Sequence, residues 1–511
     1  MNEPRIGLRW IALGVAAMLG CSSSGGTNDD GGRGGLAGTA GAAGGKGGTA
    51  GAGVGSGSAG ATGAAGVVGT AGVTGTAGAT GSAGASGKGG AAGTAGASGG
   101  AGAAGGQGGA SGTAGASGSA GAPGGQGGTS GTAGASGSGG AAACAAGTLP
   151  ANGFAVRFAN AVMTRWPDPV NITTTDAWEY NHGIVLRGMQ QVWRHTCDSR
   201  YVAYIQKYAD EFVDASGTVN IPAAHSFDNI QPSVLLPFLY QQTGLPKYHT
   251  ASDNIRARYD TIPTNPDGGF WHKQTYPNQM WLDSIYMGEP FLDQYATVFG
   301  TCGTFCSATI FKQMLLLATH VRDPASGLLY HAWDDSPAGQ KAAWADPTTG
   351  RSSVVWDRAL GWYAMSLVDM LPDLPAGADA NSLLSILTSL AAALQTSQDP
   401  ATGLWFEVVD QGSRSDDWVE TSGSGMFVYF LKTAVALGYL DASYLAVANR
   451  GWQGLQTKIT TDSTGLPTIT GAVVGVSVEP TYADYINQAT ASNSSHGLCA
   501  ILLAASEMEA Q

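Results

Sequence analysis

From about Thr148 to the end of the chain, apolar residues recur at steps of three and four, and the strict alternation of a half-buried strand is scarce. The spacing predicts helices over 153–166, 178–195, 199–214, 229–243, 246–260, 280–296, 305–322, 353–372, 378–396, 422–439, 441–458 and 492–509. Thr243-Gly244 followed by Pro246, and Leu437-Gly438, fit helix C-terminal caps, where glycine turns left-handed without a Cβ penalty. The connecting loops repeat too. Asp323-Pro324-Ala325-Ser326-Gly327-Leu328 recurs as Asp399-Pro400-Ala401-Thr402-Gly403-Leu404, with a weaker echo in Asn265-Pro266-Asp267-Gly268-Gly269-Phe270. Each runs into apolar or aromatic residues, as a tight turn into a short strand does. About six helical hairpins with loops on one side suggest a closed α/α toroid or an open solenoid. The helix count favours the closed ring, so the expected fold is all-α, an (α/α)6 barrel over 148–511.

A different pattern precedes it. From Gly31 to Gly147 units such as Gly-Thr-Ala-Gly-Ala-Ser-Gly repeat, with few charges and almost no large apolar side chains; most of the chain's 80 glycines lie here. Such a segment buries too little surface to offset its ordering entropy. Proline is nearly absent and no Gly-X-Y register is kept, which argues against collagen. The expectation is a flexible tether over 22–147. Before it, Arg5 and Arg9 precede an apolar run from Trp10 to Leu19, too short for a settled membrane span. The run ends at Met18-Leu19-Gly20-Cys21, followed by serines. This resembles a bacterial lipoprotein signal over 1–21, with Cys21 lipidated. Ser22 after the cysteine implies, by that resemblance, the outer membrane; plain secretion is the alternative. Membrane contact would then run only through the acyl anchor.

Charge narrows the partners. The chain carries −13 overall and no Lys/Arg cluster, which argues against nucleic acid. An acidic substrate would need a local basic pocket. Of six cysteines, Cys302 and Cys306 are close enough to read as a disulfide in an exported chain, and no second Cys or His pair completes a zinc site. Cys144, Cys197 and Cys499 leave an odd count, so one is expected free.

Aromatic and acidic residues concentrate just before helices: Trp178-Glu179-Tyr180-Asn181-His182, Phe227-Asp228-Asn229, Met280-Trp281-Leu282-Asp283, His331-Ala332-Trp333-Asp334, Trp356-Asp357-Arg358 through Trp362, and Thr421-Ser422-Gly423-Ser424. Aromatic platforms flanked by carboxylates and an arginine match the apolar faces and hydroxyls of sugars, and acid–base chemistry at a sugar needs a positioned carboxyl group. Plainer roles compete. Asp228 could be only a helix cap, Trp281 and Tyr286 core residues, and His182 and His331 structural histidines.

The segment Met280-Trp281-Leu282-Asp283-Ser284-Ile285-Tyr286-Met287-Gly288-Glu289-Pro290-Phe291-Leu292 resembles the catalytic segment of glycoside hydrolase family 105, the unsaturated rhamnogalacturonyl hydrolases. The likeness extends from about Trp178 to Met508 and includes Asp228-Asn229-Ile230-Gln231-Pro232, Arg358-Ala359-Leu360-Gly361-Trp362-Tyr363 and His496-Gly497. It implies the closed six-hairpin barrel, with Asp283 as catalytic acid/base and Asp228 as second carboxylate. It places Trp178, Tyr180, His331, Trp333, Arg358 and Trp362 in the substrate pocket. The implied reaction hydrates the C4=C5 bond of a terminal unsaturated uronic acid on a lyase-generated pectin oligosaccharide, without metal or organic cofactor. A nearby ionised Asp228 would raise the pKa of Asp283. The related unsaturated glucuronyl hydrolases, acting on glycosaminoglycan fragments, are the rival within enzymes. A non-catalytic surface glycan-binding lipoprotein is the rival outside them.

Overall fold

The computed structural model describes residues 144–511. The expected signal over 1–21, Cys21 and all but the last residues of the expected 22–147 tether lie outside the described residues. Every helix expected from periodicity forms: α1 (Phe154–Arg165), α2 (Tyr180–Thr196), α3 (Ser199–Phe212), α4 (Leu235–Thr243), α5 (Pro246–Arg258), α6 (Leu282–Phe299), α7 (Phe305–Val321), α8 (Asp357–Met370), α9 (Ala378–Ser397), α10 (Thr421–Ala436), α11 (Tyr444–Thr457) and α13 (Ser495–Glu509). A short helix, α12 (Tyr482–Ile486), was not foreseen.

The helices fall into two sets. α2, α4, α6, α8, α10 and α13 are apolar or small on most faces, and α8 buries every residue but Asp369. The alternate helices are amphipathic; α9 buries Leu383, Ile386, Leu387, Leu390, Ala391 and Leu394 and exposes Ser382, Ser385, Thr388 and Ala392. In the buried set, α2 packs on α4 and the 3-10 turn before it, then α4 on α6, α6 on α8, α8 on α10, α10 on α13, and α13 on α2. Glycines allow the closest approaches. A Cβ at Gly361 would stand 2.8 Å from the Met426 sulfur, and one at Gly425 2.8 Å from the Ala500 Cβ. The Glu509 carboxylate accepts from the Phe154 and Ala155 N–H groups, fastening the start of α1 to the end of α13.

The chain is mostly helical, with a few short strands between the helices. Four two-stranded antiparallel sheets join the helices: β1 (Gln279–Trp281) with β2 (Ala332–Asp334), β3 (Trp405–Phe406) with β4 (Val419–Glu420), β5 (Ile459–Thr461) with β6 (Pro467–Ile469), and β7 (Ala472–Val473) with β8 (Thr490–Ala491). Strands of two or three residues are too short for alternation to register.

The repeated loop is more widespread than its sequence echoes. After α3, α5, α7, α9 and α11 the side chain of Asp214, Asn265, Asp323, Asp399 or Asp462 accepts a backbone N–H from a residue just ahead. Gly217, Gly268, Gly327, Gly403 and Gly465 then take φ of +76° to +83°, which a Cβ would strain. Each turn sends the chain back toward the start of the next buried helix.

Cys144 pairs with Cys197 and Cys302 with Cys306, leaving Cys499 free and buried in α13. Among the described residues no helix is long and apolar enough to cross a membrane.

Candidate active site

The buried helices deliver chemistry from their N-terminal ends. Tyr180 opens α2, Asp228 lies in a 3-10 turn ahead of α4, Asp283 is in the first turn of α6, Arg358 in that of α8 and His496 in that of α13. All five line one cavity of about 190 Å³, with Trp281, Trp356 and Trp362 as aromatic walls.

Asp283 is positioned from two sides. The Leu282 N–H donates to the His331 carbonyl at 3.0 Å, locking the start of α6 to the chain before β2. The Asp283 Oδ2 lies 3.1 Å from His331 Nε2. Burial pushes the Asp283 carboxyl up, but attraction to His331 and the hydrogen bond with it, with the Arg358 guanidinium adding to them, outweigh it and hold the group below the ordinary carboxylate range. Asp228 behaves oppositely. Burial raises it, and the Lys273 ammonium paired with its Oδ2 offsets this only in part. This reverses the order expected from repulsion between the two carboxylates, because the imidazole stands beside Asp283. Asp228 is not the cap of its 3-10 turn, a position held by Ser226; its side chain faces Lys273, with His272 Nε2 3.7 Å away.

The aromatic walls are built by stacking. Trp281, the last residue of β1, stacks on His272 at 4.2 Å and on Tyr276 at 5.1 Å. Burial, then the Lys273 charge, keep His272 well below the ordinary histidine value, hence neutral. Trp362 stacks on the core residue Tyr286. The Tyr180 hydroxyl meets His496 Nε2 at 3.2 Å, and burial holds His496 neutral as well.

Arg358 is almost fully buried, its guanidinium 4.5 Å over the Trp356 ring. Nη1 donates to the Val473 carbonyl at 2.7 Å and to Ser422 Oγ at 3.3 Å, and Nη2 donates to the Val474 carbonyl at 2.6 Å. This fixes the segment whose next residues, Gly475 to Ser477, form the cavity rim.

Three expected pocket residues, Trp178, Trp333 and His331, do not line the cavity. Trp178 is buried between α2 and α3, stacked on Tyr208 at 5.4 Å with parallel rings; only its carbonyl serves the site, accepting from Asn229 Nδ2 beside Asp228. Trp333 pairs with Met280 across β1–β2 and turns its ring onto His320 of α7, at 3.5 Å, with its indole N–H on the Thr349 carbonyl. His331 stands behind Asp283 without lining the cavity. His182 is structural, bonded to the Val170 carbonyl and stacked on Tyr208. The sequence reading missed His272 and Lys273, whose signal was a His-Lys pair closely preceding the Trp281 segment, and missed the 475–477 rim, which bears no motif.

Beneath Trp356, one oxygen from each of Asp357, Glu407 and Glu420 lies within 4.8 Å of the others, all fully buried. Three carboxylates suit a hard cation. Glu420, however, already accepts from Ser422 Oγ and from the Gly423 and Val473 N–H groups, and Glu407 accepts from the Trp356 indole. Both Asp357 oxygens lack a donor. Burial, then repulsion by the two glutamates, push Asp357 well above its ordinary value. A proton retained on Asp357 would give its unpartnered oxygens a bond to share with the neighbouring carboxylates.

The sequence profile of Glycosyl Hydrolase Family 88 matches residues 154–511. A solved structure of a glycoside hydrolase from family 105 of C. acetobutylicum ATCC 824 superposes with a TM-score of 0.65 at 34% sequence identity, over 70% of this chain and 99% of that one. The 24.9 kDa protein in the picA locus of Rhizobium radiobacter is 33% identical over 192 residues, 37% of this chain and 79% of its own length. The unsaturated rhamnogalacturonyl hydrolase YesR of Bacillus subtilis strain 168 is 24% identical over 255 residues, 48% of this chain and 68% of its own length.

Proposed function

The chain belongs to glycosyl hydrolase family 88, and we propose that it removes the terminal 4,5-unsaturated uronic acid from lyase-generated pectin or rhamnogalacturonan oligosaccharides. The observation that carries this reading is the pair Asp283 and Asp228 on one small cavity among Trp281, Trp356, Trp362 and Tyr180. At about 190 Å³ the cavity is below the roughly 300–1,000 Å³ of pockets for larger ligands. It suits a single terminal sugar rather than the interior of a chain.

The double bond of such a sugar is an enol ether. Asp283 protonates C4; its carboxylate then takes a proton from the water that adds at C5. The resulting hemiketal rearranges, the ring opens and the remaining sugar leaves. Asp228, held by Lys273, orients the water or the sugar hydroxyls. An anionic substrate closing the cavity excludes water and adds negative charge, and both effects raise the Asp283 carboxyl toward the value an acid catalyst needs. The Arg358 guanidinium, buried next to the cavity, supplies the positive potential that an acidic protein must provide locally.

For the fold, the proposal is a closed (α/α)6 barrel, supported by α13 packing back on α2. For location, it is export on a 1–21 signal, with Cys21 lipidated and 22–147 as tether to a catalytic domain over 148–511. The two disulfides, which suit an oxidising compartment, support it.

The test is direct. Purified protein is mixed with rhamnogalacturonan-lyase products and, separately, with glycosaminoglycan-lyase products, and the ultraviolet absorbance of the conjugated double bond is followed. Loss of absorbance with the first supports the reading, faster loss with the second moves the substrate to glucuronyl fragments, and no loss with either overturns it.

A further inference from the structure

Tyr485 lies on α12, between β7 and β8, and its ring is fully buried. Its Oη accepts the Glu479 backbone N–H at 3.0 Å and stands 2.7 Å from His331 Nδ1. The other nitrogen of that imidazole, Nε2, faces Asp283 Oδ2 at 3.1 Å. The proton positions follow from what each group can do. A backbone amide only donates, so it takes up one lone pair of Tyr485. An ionised carboxylate only accepts, so His331 Nε2 carries hydrogen. Nδ1 is then free to receive the phenolic O–H. Donation runs in one direction, from Glu479 N–H to Tyr485 O–H to His331 Nε2–H to Asp283.

We propose that Tyr485 is a positioning residue that fixes His331 as the neutral Nε2–H tautomer, so that Oδ2 of Asp283 is occupied and Oδ1 is reserved for the proton exchanged with substrate. The inference rests on the reading of Asp283 as acid/base. It also explains how Asp283 serves as an acid with an imidazole beside it. A cationic His331 would hold the carboxylate ionised, whereas a neutral one holds it only through the hydrogen bond, so that a bound substrate, by excluding water, can raise the carboxyl. The phenol is suited to the task, because burial raises its own pKa and keeps it a donor. Its placement also ties the rim to the chemistry. Residues 475–477 are held on one side by Arg358 at Val473 and Val474 and on the other by Tyr485 at Glu479.

Two measurements on the full chain test this. Histidine-selective ¹⁵N labelling with long-range ¹H–¹⁵N spectra reports the tautomer; His331→Gln identifies which signals belong to residue 331. The wild-type protein is expected to show His331 with one protonated nitrogen, Nε2. An imidazolium or an Nδ1–H tautomer in the wild type overturns the proposal whatever the variants do. Tyr485→Phe is expected to shift His331 away from the pure Nε2–H form. It should lower kcat about tenfold or more, as loss of one buried hydrogen bond allows, with KM changed less than about twofold. An unchanged tautomer with unchanged kcat overturns it. If the wild type consumes no unsaturated oligosaccharide, the functional reading falls, while the wild-type spectrum still decides the tautomer.

Discussion

Arg358 donates from Nη1 to the Val473 carbonyl at 2.7 Å, so the cation expected to meet substrate also holds the polypeptide that rims the cavity. No carboxylate forms a salt bridge with it among the described residues. Its partners are two carbonyls, Ser422 and the Trp356 ring. Arg358→Ala is therefore expected to lower kcat/KM by about 2 kcal/mol or more, the scale of a lost charge-assisted contact. The melting temperature should fall as well, because the carbonyls of Val473 and Val474 lose their donor. Arg358→Lys keeps the charge but not the fork that reaches both carbonyls, and should recover only part of either loss. Kinetics paired with thermal melts check this; a lowered melt with normal turnover would remove Arg358 from the site.

Asp283→Asn is expected to abolish turnover and leave the fold intact, since an amide cannot cycle a proton. The free-enzyme carboxyl lies below its ordinary value, so its ionised form contributes stability that is present above the unfolded pKa and lost as pH falls through the folded one. The variant lacks that contribution. Its melting temperature should trail the wild type at neutral pH and converge with it in acid. Near-normal activity in the purified variant would show that another group carries the proton.

Much of this was legible in the sequence, and the failures have a common cause. The helices announced themselves because each buries an apolar face at helical spacing, and Tyr180, Asp228, Asp283, Arg358 and Trp362 were found because they sit at helix starts. Sequence neighbours of site residues were less safe. Trp178 and Trp333 lie within a few residues of Tyr180 and His331, yet both rings turn into the helix layers. His272 and Lys273 stand in an irregular stretch between Phe270 and β1, where no periodicity points to a face. Tyr485 is 154 residues from His331, and only the return of the chain between α11 and α13 brings them together.

The disulfide between Cys144 and Cys197 reaches upstream of the expected domain start at Thr148. A chain beginning at Ala141 keeps it, and one beginning at Thr148 does not. Both are expected to be active, because the cavity lies within the family match. The longer one should be more stable by up to about 4 kcal/mol, the loop-closure entropy of a bridge of this span. Reducing agent should erase the difference in their melts. Equal melts under oxidising conditions would show that the bridge constrains nothing the folded core needs.

The carboxyl cluster of Asp357, Glu407 and Glu420 makes a prediction whose sign separates protons from a metal. Burial and mutual repulsion raise Asp357 and Glu407 well above their ordinary values. A carboxyl with a raised folded pKa contributes stability that is fully present below its unfolded value and is lost as pH rises through the folded one. Asp357→Asn mimics the protonated form without titrating. It is expected to melt with the wild type in mild acid and above it in alkali, the gap widening with pH. A chelator should leave both melts unchanged. If a divalent cation filled the cluster, the pattern would invert. Chelation would lower the wild-type melt, added Ca²⁺ would restore it, and Asp357→Asn, one anionic ligand short, would be less stable at every pH.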